Sequence, residues 1–344
     1  MKLLSTFLLV AACQATAAAQ SVLLPPAPCR TIRSAHSMTF TPGSSVENFL
    51  VTSADPDLRR YIVYTPSSYQ AASGPYPVVF MLHGTSQDAT DPIQRLTWDE
   101  YAEAMDFIAV FPEALPYLLL DGSTRTKWAT ANVAASVVDP SELPLADDAL
   151  FLREVFETLV AHLDVDCERV YATGFSNGGG FVKTNVRVEL SDIFAATASA
   201  GGIGLTVTAP GEFFPENGLL FRPHFEVVGN EDANKRANCI DQGDLLPGQN
   251  LPMQIPDIIA RGCMWTPMTT MASELALDPA SYVAVERQYF TQFVWSDPVL
   301  PGPQPREYRF RVLQGLTHEY PSGSNYPLDY VPIFYGWLMQ FTRS

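Results

Sequence analysis

The chain has 344 residues, 47% of them hydrophobic and 17% charged, with a formal net charge of −16. That apolar content builds a sizeable core, as one large α/β domain or two smaller ones. The acidic balance excludes a nucleic-acid backbone binder, which needs clustered Lys and Arg, and argues against polyanionic substrates.

Residues 1–19 have the form of an export signal. Lys2 gives a short positive start, Leu3 to Ala12 is mainly apolar, and Ala17-Ala18-Ala19 offers a small-residue cleavage site. The apolar run is too short to span a bilayer, so no membrane span is expected. Val10-Ala11-Ala12-Cys13 is the alternative, a lipoprotein cleavage site, but the run ahead of Cys13 is short for one. Beyond the signal stand Cys29, Cys167, Cys239 and Cys263. Four cysteines in an exported chain suggest two disulfides, with three connectivities open. The expected pairs are Cys239–Cys263, as a local clip, and Cys29–Cys167. Buried free thiols are the alternative. No cysteine spacing and no His pair suits a metal, so none is expected.

Residues 20–58 are rich in Pro, Ser and Thr and read as an irregular N-terminal arm. Residues 59–344 read as one catalytic domain, with no internal repeat and no long linker. Arg59 to Tyr64, Tyr76 to Leu82 and Phe107 to Phe111 are β-branched and aromatic runs that read as strands. Thr97-Trp98-Asp99-Glu100 has the wording of a capping box for a short helix. Residues 113–145 read as surface loop. Asp148 to Leu163 carries Leu152, Val155, Phe156, Leu159 and Leu163 at helical spacing. Arg169 to Thr173, Phe194 to Ala200, Phe225 to Gly229 and Tyr308 to Leu313 read as further strands. Between the last two, Ile258-Ile259 and Val283 to Phe290 show helical periodicity. Val331 to Phe341 reads as a closing helix. Strands alternating with helices imply an α/β fold with a mainly parallel sheet covered on both faces.

The chemistry centres on Gly174-Phe175-Ser176-Asn177-Gly178, a G-x-S-x-G pattern between a strand and a helix. Such a turn holds a serine above the sheet, at free helical amides that favour developing negative charge. A serine hydroxyl needs a base. Of the five histidines, His318 follows the last strand, where loops at the carboxyl ends of a parallel sheet converge. His83 reads as loop-shaping. The acid belongs between serine and histidine in the chain, and Asp232 is the choice over its neighbour Glu231. The oxyanion donors expected are the backbone amides of Asn177 and Thr85. Trp128, Trp265, Trp295 and Tyr320 read as loop aromatics that line a substrate cleft.

Four segments carry a resemblance: MLHGTSQ at 81–87, RVYATGFSNGGG at 169–180, VVGNEDAN at 227–234 and GLTHEYP at 315–321. Together they resemble the secreted α/β-hydrolase esterases that include polyhydroxybutyrate depolymerases, feruloyl esterases and acetylxylan esterases. Asp147-Asp148 and Arg261-Gly262-Cys263 are similar to that family as well. The resemblance runs over roughly residues 55–343. It implies an α/β-hydrolase fold and a cofactor-free serine esterase with a Ser176-Asp232-His318 triad. The implied substrate is polymeric or derived from plant cell wall. The depolymerase-like and feruloyl esterase-like activities are expected first, and acetylxylan esterase next. A serine peptidase and a non-catalytic binding protein are the readings outside esterases. Nothing in the sequence fixes the oligomeric state.

Overall fold

The computed structural model describes residues 32–54, 56–71, 74–138, 145–202, 221–300 and 305–343. The expected export signal, Cys13 and Cys29 lie outside them, and so does the expected Cys29–Cys167 pairing. Among the described residues twelve strands are formed: β1 Ser44–Val51, β2 Leu58–Thr65, β3 Tyr76–Leu82, β4 Ile108–Pro112, β5 Leu115–Leu118, β6 Thr124–Lys127, β7 Val165–Phe175, β8 Ala196–Ala200, β9 His224–Gly229, β10 Val283–Glu286, β11 Phe290–Trp295 and β12 Tyr308–Leu313. The helices are α1 Asp91–Leu96, α2 Trp98–Met105, α3 Ala131–Ala134, α4 Asp148–His162, α5 Ser176–Phe181, α6 Arg187–Glu189, α7 Ala233–Asp241, α8 Ile255–Ile259, α9 Gly262–Glu274 and α10 Tyr330–Leu338. A π-helical turn, Val182–Val186, joins α5 to α6.

Ten strands make one sheet in the order β1-β2-β4-β3-β7-β8-β9-β12-β11-β10, and β5 and β6 form a separate hairpin. The six strands from β4 to β12 are parallel, and the two at each margin pair antiparallel. Every residue of β3 is buried. Tyr76, Val78, Phe80 and Leu82 face one apolar cluster, while Val79 and Met81 face another. A strand covered on both faces reads as an unbroken apolar run, as this one does.

On the first face α4 buries Phe151, Leu152, Val155, Phe156 and Leu159. Full burial of each such side chain stabilises the fold by about 2 kcal/mol. Asp147 starts that helix, accepting from the Leu150 amide at 2.8 Å. On the second face α10 packs Val331, Phe334 and Leu338. A third cluster lies between α8, α9 and the strands β11 and β12. Among the described residues no helix is long and apolar enough to cross a membrane.

Four local expectations are corrected. Within the stretch read as an irregular arm, Ser44–Val51 is a strand that pairs residue for residue with β2. Residues 113–145 contain the β5–β6 hairpin and α3. The helical periodicity around Val283 to Phe290 belongs to two antiparallel strands, β10 and β11. The capping box does not close: Thr97 also ends α1, its φ is 54°, and its side chain makes no cap bond. The left-handed backbone carries the hydroxyl away from the free amides.

Cys239 and Cys263 are joined, with Cα atoms 5.1 Å apart, tying α7 to α9. Cys167 is disulfide-bonded too. The Cys239–Cys263 link closes a sequence separation of 24. Replacing both cysteines with alanine should lower unfolding free energy by about 3 kcal/mol, the loop-closure value for that length. Urea denaturation of the double variant measures it; an unchanged midpoint refutes it.

Candidate active site

β7 delivers Phe175 into the turn, and Ser176 takes a left-handed backbone with φ 53°. A non-glycine residue there is strained, and the strain persists only where its surroundings enforce it. One enforcer is Gly178. A Cβ on Gly178 would sit 2.3 Å from the His83 carbonyl oxygen and 2.7 Å from that of Leu82. The end of β3 therefore presses directly on the first turn of α5. The loop after β3 also passes the serine, since a Cβ on Gly84 would stand 3.3 Å from the Ser176 Cβ.

Ser176 Oγ lies 2.8 Å from His318 Nε2. His318 Nδ1 lies 2.7 Å from Asp232 Oδ2. Asp232 is fully buried. Its other oxygen accepts from the amides of Asn234 at 2.9 Å and Lys235 at 3.2 Å, capping α7. Burial pushes the Asp232 carboxyl up, but the bond from His318 and nearby positive charge outweigh it and hold the group below the usual carboxylate range. Glu231 points elsewhere, accepting from the Asn250 side chain at 3.2 Å.

The loop holding His318 is fixed by backbone. A Cβ on Gly229 would lie 2.0 Å from the Leu316 carbonyl oxygen, so the acid and histidine loops cross there without side chains between them. The Glu231 amide donates to that same carbonyl at 3.0 Å. Asn230 Oδ1 accepts from the Gly315 amide at 2.7 Å. Sequence reasoning passed over Gly229 and Asn230. The signal was a glycine-asparagine pair at the end of a strand, directly ahead of the acid.

His83 is buried and its pKa is lowered by burial. Nδ1 donates to the Gly84 carbonyl at 2.8 Å, while Nε2 accepts from the Ala114 amide at 3.1 Å. Both nitrogens are thus committed to loop backbone. The Asn177 amide stands in the first turn of α5, where helical amides lack intrahelical partners. Thr85 follows Gly84 in the loop beside Ser176. A cavity of about 410 Å³ opens next to these groups, lined by Gln87, Arg95, Phe175, His318, Glu319 and Tyr320 among others.

Of the four aromatics expected in a substrate cleft, one borders this cavity. Tyr320 borders the cavity and packs edge-on against Phe175, centroids 6.2 Å apart. Trp128 is instead fully buried. Its indole donates to the His83 carbonyl at 2.9 Å and stacks on Phe181. Its backbone amide donates to Asn177 Oδ1 at 2.7 Å. Trp265 lies in α9 and Trp295 ends β11, and the two pack together with Tyr282 and Phe293. Trp295 pairs with Tyr308, which pairs with His224 at the start of β9. Asp232 and His318 follow the opposite ends of β9 and β12, about 17 Å away along the strands. Trp295 is fully buried core, Trp265 is partly buried against the same cluster, and neither borders the cavity beside Ser176, so the expectation that they line the cleft is corrected.

No family model matches the chain. In sequence it is 24% identical over 170 residues to a bifunctional acetylxylan esterase/xylanase of Neocallimastix patriciarum, covering 49% of this chain and 21% of that protein. It is 24% identical over 160 residues to poly(3-hydroxyalkanoate) depolymerase C of Paucimonas lemoignei, covering 46% and 34%. The chain thus matches about a fifth to a third of the length of these curated relatives. Among solved structures, an acetyl xylan esterase from Aspergillus awamori superimposes with a TM-score of 0.53 at 12% identity, covering 86% of this chain and 99% of that one.

Trp295→Ala should lower stability by about 3–5 kcal/mol, as loss of a buried tryptophan does. The ratio of rates on bulky and small esters should stay within about twofold of the parent, since lost contact with substrate would change it about tenfold or more. A selectivity change with unchanged stability would return Trp295 to the cleft. The chain has the α/β-hydrolase fold, and its relatives in sequence and in structure include acetylxylan esterases and a polyhydroxyalkanoate depolymerase.

Proposed function

We propose that the chain is a secreted serine carboxylic-ester hydrolase working through an acyl-enzyme. The observation that carries this is the unbroken chain of hydrogen bonds Asp232–His318–Ser176 ending on a left-handed serine. Asp232 keeps the imidazole proton on Nδ1, leaving Nε2 free to accept. As Ser176 Oγ attacks the ester carbonyl carbon, its proton passes to His318 Nε2. The carbonyl oxygen becomes an oxyanion, held by the amides of Thr85 and Asn177. Collapse breaks the ester C–O bond, and His318 returns the proton to the departing alcohol. Water then repeats the sequence on the acyl-enzyme and releases the acid. No cofactor or metal enters these steps.

The substrate reading is a polyester or a feruloyl or acetyl ester of plant polysaccharide, the classes the resemblance implies. One observation favours the polysaccharide side. Beside the apolar Met81, Pro92, Leu96, Phe175 and Tyr320, the cavity presents Gln87, Asp91, Arg95, Glu319, Ser322 and Asn325. Such a rim suits hydroxyl groups better than an aliphatic polyester. Export is supported by the form of the signal and by the Cys239–Cys263 bond, which needs an oxidising compartment.

Labelling with a serine-reactive fluorophosphonate separates a hydrolase from a non-catalytic relative. A panel of acetylated, feruloylated and polyhydroxyalkanoate substrates separates the esterase activities, and a peptide panel addresses the peptidase alternative. Ser176→Ala should abolish labelling and lower turnover by about four to six orders of magnitude with the fold intact. Asp232→Asn should cost far more than Glu231→Gln. Near-parent hydrolysis by folded Ser176→Ala, or a larger loss from Glu231→Gln, refutes the assignment.

A further inference from the structure

One buried carboxylate joins the three elements that carry the candidate triad. Glu226 lies inside β9 and is 1% exposed. Its Oε2 is 2.8 Å from Lys183 Nζ, on the π-helical turn that continues the Ser176 helix. The same oxygen accepts from the Tyr308 hydroxyl at 3.1 Å, on the strand that leads to His318. Its Oε1 faces Lys235 Nζ at 3.6 Å, in the first turn of α7. Lys235 in turn donates its backbone amide to Asp232 Oδ1.

The charges explain why this cluster survives burial. Burial alone would raise the Glu226 carboxyl, but Lys183 and then Lys235 overcome it and bring it down to about 2. Burial pushes Lys235 down, with Glu226 and Asp232 opposing and Lys183 reinforcing that shift. His224, two residues before Glu226, is driven down to about 3 by burial and stays neutral. Arg187 is engaged with Glu274 at 2.6 Å. Two lysines thus face two carboxylates, Glu226 and Asp232. A cavity of about 220 Å³ lies beside Lys235, Asn234 and Asn238. The Lys235 side chain is 23% exposed, so packing does not fully enclose it, and its ammonium faces Glu226.

We propose that Lys235 is a positioning residue, anchored by Glu226, that holds the first turn of α7 and so keeps the Asp232 carboxylate on His318 Nδ1. This rests on the triad reading above. A partly exposed ion pair at this separation contributes little net stability. Its effect belongs in turnover, where a displacement of about 1 Å can cost up to about a hundredfold.

A double-mutant cycle with p-nitrophenyl acetate tests it. Lys235→Gln should lower kcat about tenfold while KM stays within about twofold, and Lys235→Arg should recover most of the loss. Fluorophosphonate labelling should slow in parallel with kcat. In the Asp232→Asn background, Lys235→Gln should cost almost nothing further. Lys235→Met keeps the aliphatic stem and is read the same way, so a folding failure of one variant leaves the comparison intact. Full activity of the folded variants, or an equal loss in both backgrounds, would overturn the proposal. Undiminished turnover by Asp232→Asn alone would instead overturn the triad reading, and the proposal with it.

Discussion

The site depends on one backbone crossing. The first turn of α5 lies so close to the end of β3 that only glycine fits at position 178. Around that crossing the polar groups are paired in sequence. The His83 carbonyl takes the Trp128 indole, and the Trp128 backbone exchanges two bonds with the Asn177 side chain. The next amide, of Ala129, donates to Asp148 at 2.7 Å, and Asp148 meets Arg59 at 2.5 Å with both side chains fully buried. Removing one partner of a buried pair like this typically costs about 3–5 kcal/mol, because the other is left uncompensated. A charge on β2 is thereby linked, through the start of α4 and the Trp128 loop, to the residue beside the serine. The paired acids at 147 and 148 divide the work: one starts α4, the other braces the Trp128 loop.

The histidine side is organised differently. His318 is the most exposed member of the candidate triad, at 23% of its side chain. What places it is the crossing at Gly229 and Leu316, with Asn230 bridging to Gly315. The imidazole is thus held from below by backbone and from the side by a buried carboxylate, while one face rests on Phe175 at 5.3 Å. Loops fixed by these backbone contacts hold His318 within hydrogen-bond reach of Ser176, the proximity the proposed nucleophile and base would require.

Much of this was legible in the sequence. Most of the parallel strands announced themselves as short β-branched and aromatic runs, with Ala196–Ala200 legible instead as a run of small residues. The serine turn carried its own strand-turn-helix context, and chain order pointed to an acid and a histidine whose side chains lie in one hydrogen-bonded line with Ser176. Other features were hidden for physical reasons. β1 is exposed along one face, so its composition resembles an arm. In β10 and β11, Val283, Val285, Phe293 and Trp295 alternate as strands do, yet over short runs that pattern is hard to tell from helical spacing. Trp265 and Trp295 lie between acid and histidine in the chain, but a strand has two ends, and only its register tells which end a residue occupies. Trp128 is aromatic because it fills space beneath a loop, and its role as a brace depends on partners 45 and 49 positions away.

The margins of the sheet govern behaviour in bulk solution. β1 forms one edge, where Phe49 and Val51 stand 48% and 43% exposed, with Leu58 of the neighbouring β2 63% exposed. At the other edge Val283 of β10 is 65% exposed. Strand edges with apolar side chains invite pairing between molecules. Against that stands a net charge of −16, which keeps molecules apart by repulsion. The sequence isoelectric point is about 4.6, so mild acid removes that protection. Colloidal stability therefore has its own acid limit, set by long-range repulsion between molecules rather than by unfolding or by the hydrogen bonds around Ser176.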